Sequence, residues 1–109
     1  MAGDYNINVY QNPSANGDSF SQSFFLGAGT YTFSVMGRTE GDAGKIDWYI
    51  DNVLAVSGQD WYYGGANQHG YVQTASVTVS GNGVHTLKGI VNGKTGSNYY
   101  ILLTTMWFS

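Results

Sequence analysis

Three consecutive aromatics, Trp61, Tyr62 and Tyr63, stand between Gly58 and the pair Gly64-Gly65. Flat rings on a glycine-flanked loop can stack on sugar rings and offer a large contact area at small entropic cost. Asp60, Asn67 and His69, with Gln68 between them, would supply the polar groups that orient such a ligand. The competing use of these rings is burial, with at least one of them closing the end of the domain or entering a subunit contact. A second chemistry to consider is a hard cation, since Asp42, Asp47, Asp51 and Asp60 are all carboxylates. Calcium takes roughly six to eight oxygens at about 2.3–2.6 Å, and four acids spread over separate turns read instead as ordinary turn and edge carboxylates. No metal is expected. His85 is in phase with Leu87 and reads as a partly buried histidine, while His69 borders the aromatic loop. There is no cysteine, no Gly-x-Ser-x-Gly, no histidine pair at metal spacing and no acid pair placed by a motif. The chain therefore reads as a protein without catalytic residues or cofactor, and not as an enzyme.

The elements that would carry these residues are strands. Alternation of period two, punctuated by glycine, marks about eight of them and no helix. Tyr5, Ile7 and Val9 alternate with polar residues in a first strand, and the stretch from Gln11 to Asp18, holding Pro13, reads as a loop. Phe20, Gln22, Phe24 and Leu26 share one face of the next strand. Gly27-Ala28-Gly29 then turns the chain into residues 30–37, where Tyr31, Phe33 and Val35 face inward, and the two strands read as a hairpin. Ile46, Trp48 and Ile50 alternate in a fourth strand, Asp51-Asn52 makes a turn, and residues 53–57 make a fifth. Residues 58–67 form the aromatic loop. Ala75, Val77 and Val79 face one way in a sixth strand over 71–80, His85, Leu87 and Val91 mark a seventh, and Asn92-Gly93 precedes the last. This is an all-β pattern, an antiparallel β-sandwich with the strand number of a jelly roll.

At 109 residues the chain is one domain, 1–109, with a single core. Only 10% of its residues are charged, against about a quarter in most soluble domains, so part of the surface is expected to be covered by partners. A formal charge of −3 with four scattered cations, Arg38, Lys45, Lys88 and Lys94, excludes the basic stripe that nucleic acid needs. No window approaches the ~20 apolar residues of a membrane span, and the first ten residues lack the pattern of a cleaved secretion signal. With no cysteine, there is no disulfide framework and the redox compartment stays open.

The last strand, Asn98 to Phe108 (NYYILLTTMWF), is apolar on both faces if it alternates strictly: Tyr99, Ile101, Leu103 and Trp107 on one, Tyr100, Leu102, Met106 and Phe108 on the other. A two-layer domain buries only one of these. The second face is expected to meet a copy of the chain, which makes these eight residues the expected interface of a homotrimer.

The order of the segments DSFSQSFFLGAGTYTFSV, GKIDWYIDN and VSGNGVHTLKGIVNGKTGSNYYILLTTMWF resembles the small jelly-roll domains of bacteriophage virions, which are similar to the trimeric heads of the tumour necrosis factor and complement globular families. The resemblance covers residues 18–108, with 1–17 as an N-terminal strand and loop. It rests on Leu26 to Tyr31 (Leu-x-x-Gly-x-Tyr), the turn Tyr49 to Asn52, Gly83 to Leu87 (Gly-x-His-x-Leu), the turn Gly93-Lys94 and the apolar last strand. It implies a non-enzymatic virion protein assembled in the host cytoplasm, either a trimeric capsid decoration (cement) protein bound to a major capsid protein, or a fibre head. A chain that starts at Met1 without a shaft fits the decoration role better. The alternative is a lectin-like receptor-recognition module that binds host-surface carbohydrate through the loop from Trp61 to Tyr63.

Overall fold

The computed structural model describes Asp4–Tyr5, Tyr10–Asn12 and residues 15–109. Among these residues nine strands follow one another without a helix: β1 (Asp4–Tyr5), β2 (Tyr10–Asn12), β3 (Ser19–Leu26), β4 (Gly29–Thr39), β5 (Gly44–Ile50), β6 (Val53–Asp60), β7 (Gln68–Val79), β8 (Gly83–Lys94) and β9 (Ile101–Phe108). Ile7 and Val9 of the expected first strand lie outside the described residues. The strands form two antiparallel sheets. One has the order β1-β9-β4-β7, with β2 also on β9, and the other has the order β3-β8-β5-β6. The all-β sandwich expected from the alternation is what the chain forms.

The connections differ from the expected ones. β3 pairs along its whole length with β8, whereas β4 pairs with β7 and β9. The turn Gly27-Ala28-Gly29 is thus an arch between sheets and not a hairpin. Spacing in the sequence cannot distinguish the two, because both need a short glycine turn. The β5–β6 connection is a true hairpin. Asp51 and Asn52 adopt φ of 51° and 65°, the left-handed pair of a two-residue turn that matches strand twist. β6 also runs on to Asp60 and β7 begins at Gln68, so the long loop shrinks from residues 58–67 to 61–67.

The core lies between the sheets. Phe33 packs edge-on against Trp48 with ring centroids 5.1 Å apart and against Phe108 at 5.0 Å, and Phe24 stacks on Phe108 at 4.8 Å. Each such pair adds about 0.5–1.5 kcal/mol to the burial of its rings. Phe24, Leu26, Phe33, Val35, Ile46, Trp48, Val77, Val79 and Leu87 are all buried, as their alternation requires.

β9 departs from strict alternation. Met36 of β4 faces Thr105, but the next residue, Gly37, faces Leu103, so Thr104 is an extra residue and makes a β-bulge. The bulge resets the phase. Ile101 and Leu103 before it and Met106 and Phe108 after it all enter the core, each with no exposed surface. Leu102, Thr105 and Trp107 take the other side and are half-buried, while Thr104 is exposed. The eight-residue interface expected from two apolar faces is therefore corrected in four of its residues. Ile101, Leu103, Met106 and Phe108 are core of the single chain, whereas Tyr99, Tyr100, Leu102 and Trp107 are half-buried, so the strand does not carry the two fully apolar faces on which the expected trimer rests. Gly37 permits the bulge, since a Cβ there would stand 2.6 Å from the Leu102 carbonyl oxygen and 2.9 Å from the Leu103 side chain.

Candidate functional site: an aromatic loop end

Three connections between the sheets converge at one end of the sandwich: residues 40–43, 61–67 and 95–100. Their backbones are tied together. Glu40 N–H donates to the Trp61 carbonyl at 3.2 Å, and Tyr63 N–H donates to the Glu40 carbonyl at 3.0 Å. Tyr100 N–H donates to Asp42 O at 3.0 Å, and Gly44 lies between the two connections, accepting from Trp61 N–H at 3.1 Å and donating to Tyr100 O at 2.9 Å. Side chains add to this lattice. Asp60 accepts from Tyr62 N–H at 3.0 Å and from the Thr95 hydroxyl at 2.5 Å, and Asp42 accepts from the Ser97 hydroxyl at 2.9 Å.

The three aromatics divide into one anchor and two presented rings. Trp61 is fully buried, with its ring edge-on to Tyr71 at 6.4 Å. Its indole N–H donates to Gln59 Oε1 at 3.1 Å, the same oxygen that accepts from Trp48 Nε1 at 2.9 Å. The expectation that Trp61 contributes to a ligand platform is thus corrected, because it is a core residue that holds the loop down. Tyr62 and Tyr63 are 39% and 42% exposed. Tyr62 lies over Gly96, where a Cβ would come 2.6 Å from its ring and 2.5 Å from the Gly41 carbonyl. Asn67 and His69 are exposed at the start of β7.

Sequence reasoning missed Thr95, Gly96 and Ser97, and read Asp42 only as a turn carboxylate. Their only signal was membership of short polar connections, 40–43 and 93–98, whose convergence depends on which strands share a sheet. Lys94 completes this end, with its ammonium 4.8 Å from the Tyr99 ring centroid and donating to the Ser97 carbonyl at 3.4 Å. The carboxylates here are engaged within the chain: Glu40 with Arg38, Asp42 with Ser97, Asp60 with Tyr62 and Thr95. What the arrangement offers a ligand is two partly exposed tyrosine rings bordered by hydroxyls and carboxylates on a fixed frame.

Asp47 and Asp51 lie elsewhere. Asp47 accepts from Gly58 N–H at 2.6 Å and Asn92 Nδ2 at 2.8 Å. Asp51 pairs with His85 Nδ1 at 2.6 Å and accepts from Thr86 N–H at 2.9 Å, while His85 Nε2 meets the Gly81 carbonyl at 2.9 Å. Both ring nitrogens thus face acceptors, which favours the imidazolium. The hydrogen bond to Asp51 raises the His85 pKa above the ordinary 6.5, and the hydrogen bond from His85 lowers that of Asp51 below 3.8. The Asp51 contribution is present above pH 3.8 and is lost as pH falls through its lowered value. The His85 contribution is present below pH 6.5 and is lost as pH rises through its raised value. The melting temperature should accordingly fall as pH rises from 6 into the alkaline range, and this slope should be smaller in His85→Gln. Equal slopes in the two proteins would show that the His85–Asp51 pair does not set the pH dependence of stability.

No protein-family model matches the chain, and no curated protein matches its sequence. The fold has clear counterparts among solved structures. A xanthan lyase from Paenibacillus contains a region similar to this chain at TM-score 0.74 and 18% identity, covering 99% of this chain and 12% of the lyase. The CBM36-1 domain of a multidomain xylanase, from the hindgut metagenome of Trinervitermes trinervoides, matches at TM-score 0.67 and 16% identity, covering 97% of this chain and 90% of that domain. The carbohydrate-binding module CBM36, solved with calcium and xylotriose, matches at TM-score 0.59 and 21% identity, covering 99% and 93%.

The chain thus has the β-sandwich fold of carbohydrate-binding modules, and it spans about an eighth of the lyase's length. The virion resemblance finds no support in these structures. Among the described residues no three His, Asp or Glu side chains gather as metal ligands, and Asp42 and Asp60 are already bonded to other residues. No helix among the described residues is long and apolar enough to cross a membrane.

Proposed function

We propose that this chain is a non-catalytic carbohydrate-binding module that grips a polysaccharide with the loop end around Tyr62 and Tyr63. The observation that carries the reading is the pair of exposed tyrosines on a backbone pinned by Trp61, Glu40 and Asp60. Rings held in place before binding lose little entropy when a pyranose face stacks on them. Hydroxyls of Thr95 and Ser97, with the bordering carboxylates, would meet sugar hydroxyls at the rim. The likeness of the fold to carbohydrate-binding modules supports the same reading.

The test is affinity electrophoresis and calorimetry against a panel of neutral and acidic soluble polysaccharides. The wild-type chain is expected to be retarded by at least one of them. Each stacked ring contributes on the order of 1 kcal/mol, so Tyr62→Ala and Tyr63→Ala should each weaken that binding about five-fold with unchanged melting temperature. Gly96→Ala should weaken binding at least as much as Tyr62→Ala, because the added methyl displaces the Tyr62 ring. A wild type that binds nothing in the panel, or tyrosine variants that bind as well as wild type, would sink the reading.

A further inference from the structure

The side of the sandwich away from the N-terminal strands is open. β7 and β6 are the last described strands of their sheets on this side, so each leaves a row of backbone N–H and C=O groups without a strand partner among the described residues. Natural edge strands are commonly blunted by lysine, proline or brevity. β7 has none of these, being 12 residues long, against 8 for the edge strand β3, and containing no Asp, Glu, Lys, Arg or Pro. Four of the large apolar side chains exposed on this chain lie on these two edges, Val53 and Leu54 on β6 and Tyr71 and Val72 on β7. Between the edges runs a groove of about 260 Å³ lined by Ile50, Val53, Leu54, Ala55, Ser76, Val77 and Thr78.

We infer that the free edge of β7 is a self-pairing surface, through which two copies of this chain join antiparallel about a twofold axis and continue the sheet across the dimer. A strand edge is complementary to its own antiparallel copy in hydrogen bonds. Here it is complementary in charge as well, since an uncharged strand meets its copy without like-charge opposition even in a chain of net charge −3. The symmetric register that uses the whole regular run of β7 is centred on one residue. β7 pairs with β4 without interruption from Tyr71 to Val79, and the midpoint of that run is Ala75. Directly opposed residues must point to the same side of a sheet, a condition met when Ala75 faces Ala75 of the second copy.

Tyr71 then lies opposite Val79 of the second copy and diagonal to its Val77, at the apolar groove, while Thr74 lies opposite Ser76. The regular run makes an edge about 30 Å long, and the molecule measures 21 Å along its shortest axis. The side so outlined is about 600 Å² per copy, and about 1,200 Å² in the pair is the low end of specific interfaces. The association is thus a weak, concentration-dependent dimer. Because the aromatic loop precedes β7, antiparallel pairing points the two loop ends in opposite directions. If the glycan reading above holds, one dimer would bridge two polysaccharide strands.

Sedimentation velocity on the whole chain from low micromolar to millimolar concentration tests the pairing without any ligand. The mean mass should rise from 11.8 kDa toward twice that value. Thr74→Lys/Ser76→Lys and Thr74→Glu/Ser76→Glu change exposed positions only. Each double variant alone should remain monomeric with the wild-type melting temperature, because two like-charged pairs then oppose each other. An equimolar mixture should dimerise again. A wild type that stays monomeric throughout, charged variants that self-associate as wild type does, or a mixture that stays monomeric would each overturn the inference. Glycan binding by the monomer is unaffected by any of these outcomes, so failure here is distinct from failure of the function.

Discussion

Phe33→Ala is expected to cost about 3–5 kcal/mol and to leave the chain close to the limit of folding. Phe33 is 1% exposed and lies where the two sheets meet, in contact with Trp48 of one sheet and Phe108 of its own. Its removal takes away ring contacts on two sides and leaves a cavity that rigid neighbours cannot fill. Total stability in a domain of this size is commonly ~5–15 kcal/mol, so a loss of this size is a large share of it. Chemical denaturation followed by tryptophan fluorescence reads the change directly, since Trp48 is the partner ring. A midpoint indistinguishable from wild type would show that the centre of the core lies elsewhere. Thr78→Ala, on the exposed face of β7, serves as the silent control.

Gln59→Leu is expected to destabilise nearly as much without removing volume. One oxygen of Gln59 accepts both buried indole N–H groups, from Trp48 and Trp61. Leucine preserves the size of the side chain and strands both donors, at about 1–3 kcal/mol each, so a total of about 2–6 kcal/mol is expected. Trp61→Phe in the Gln59→Leu background should cost less than Trp61→Phe alone, because the bond it removes is already missing. Strict additivity of the two changes would refute the shared acceptor. The same bond seats Trp61 beneath the tyrosines. Gln59→Leu should therefore also weaken polysaccharide binding, at temperatures where the variant remains folded.

Much of this architecture is legible in the chain itself. Alternation at Phe24 and Leu26, Phe33 and Val35, Ile46 and Trp48, Val77 and Val79 marks the inward faces, because a strand has a period of two and burial selects apolar residues at that period. Asp51-Asn52 marks its turn, because these two types tolerate the left-handed backbone. The Trp61 to Tyr63 run marks the candidate binding end, because clustered aromatics on a glycine-bounded loop offer flat contact area.

Other features belong to the tertiary structure alone. Partner strands in a sandwich are set by long-range hydrogen bonds, so the glycine turn after Leu26 reads equally well as a hairpin or as the arch it is. The bulge at Thr104 is one residue of slack in a strand, and no residue type signals it. Yet it brings Ile101, Leu103, Met106 and Phe108 to one side of β9, so a strand that reads as apolar on both faces has a single core face. Within the aromatic run, burial of Trp61 and exposure of Tyr62 and Tyr63 depend on Gln59 offering an acceptor inside the core and on Gly96 leaving space above it. Gln59 stands only two residues before Trp61 but its side chain finds the core through Trp48, and Gly96 lies on a separate connection, so only the folded packing decides which aromatic is anchor and which is surface.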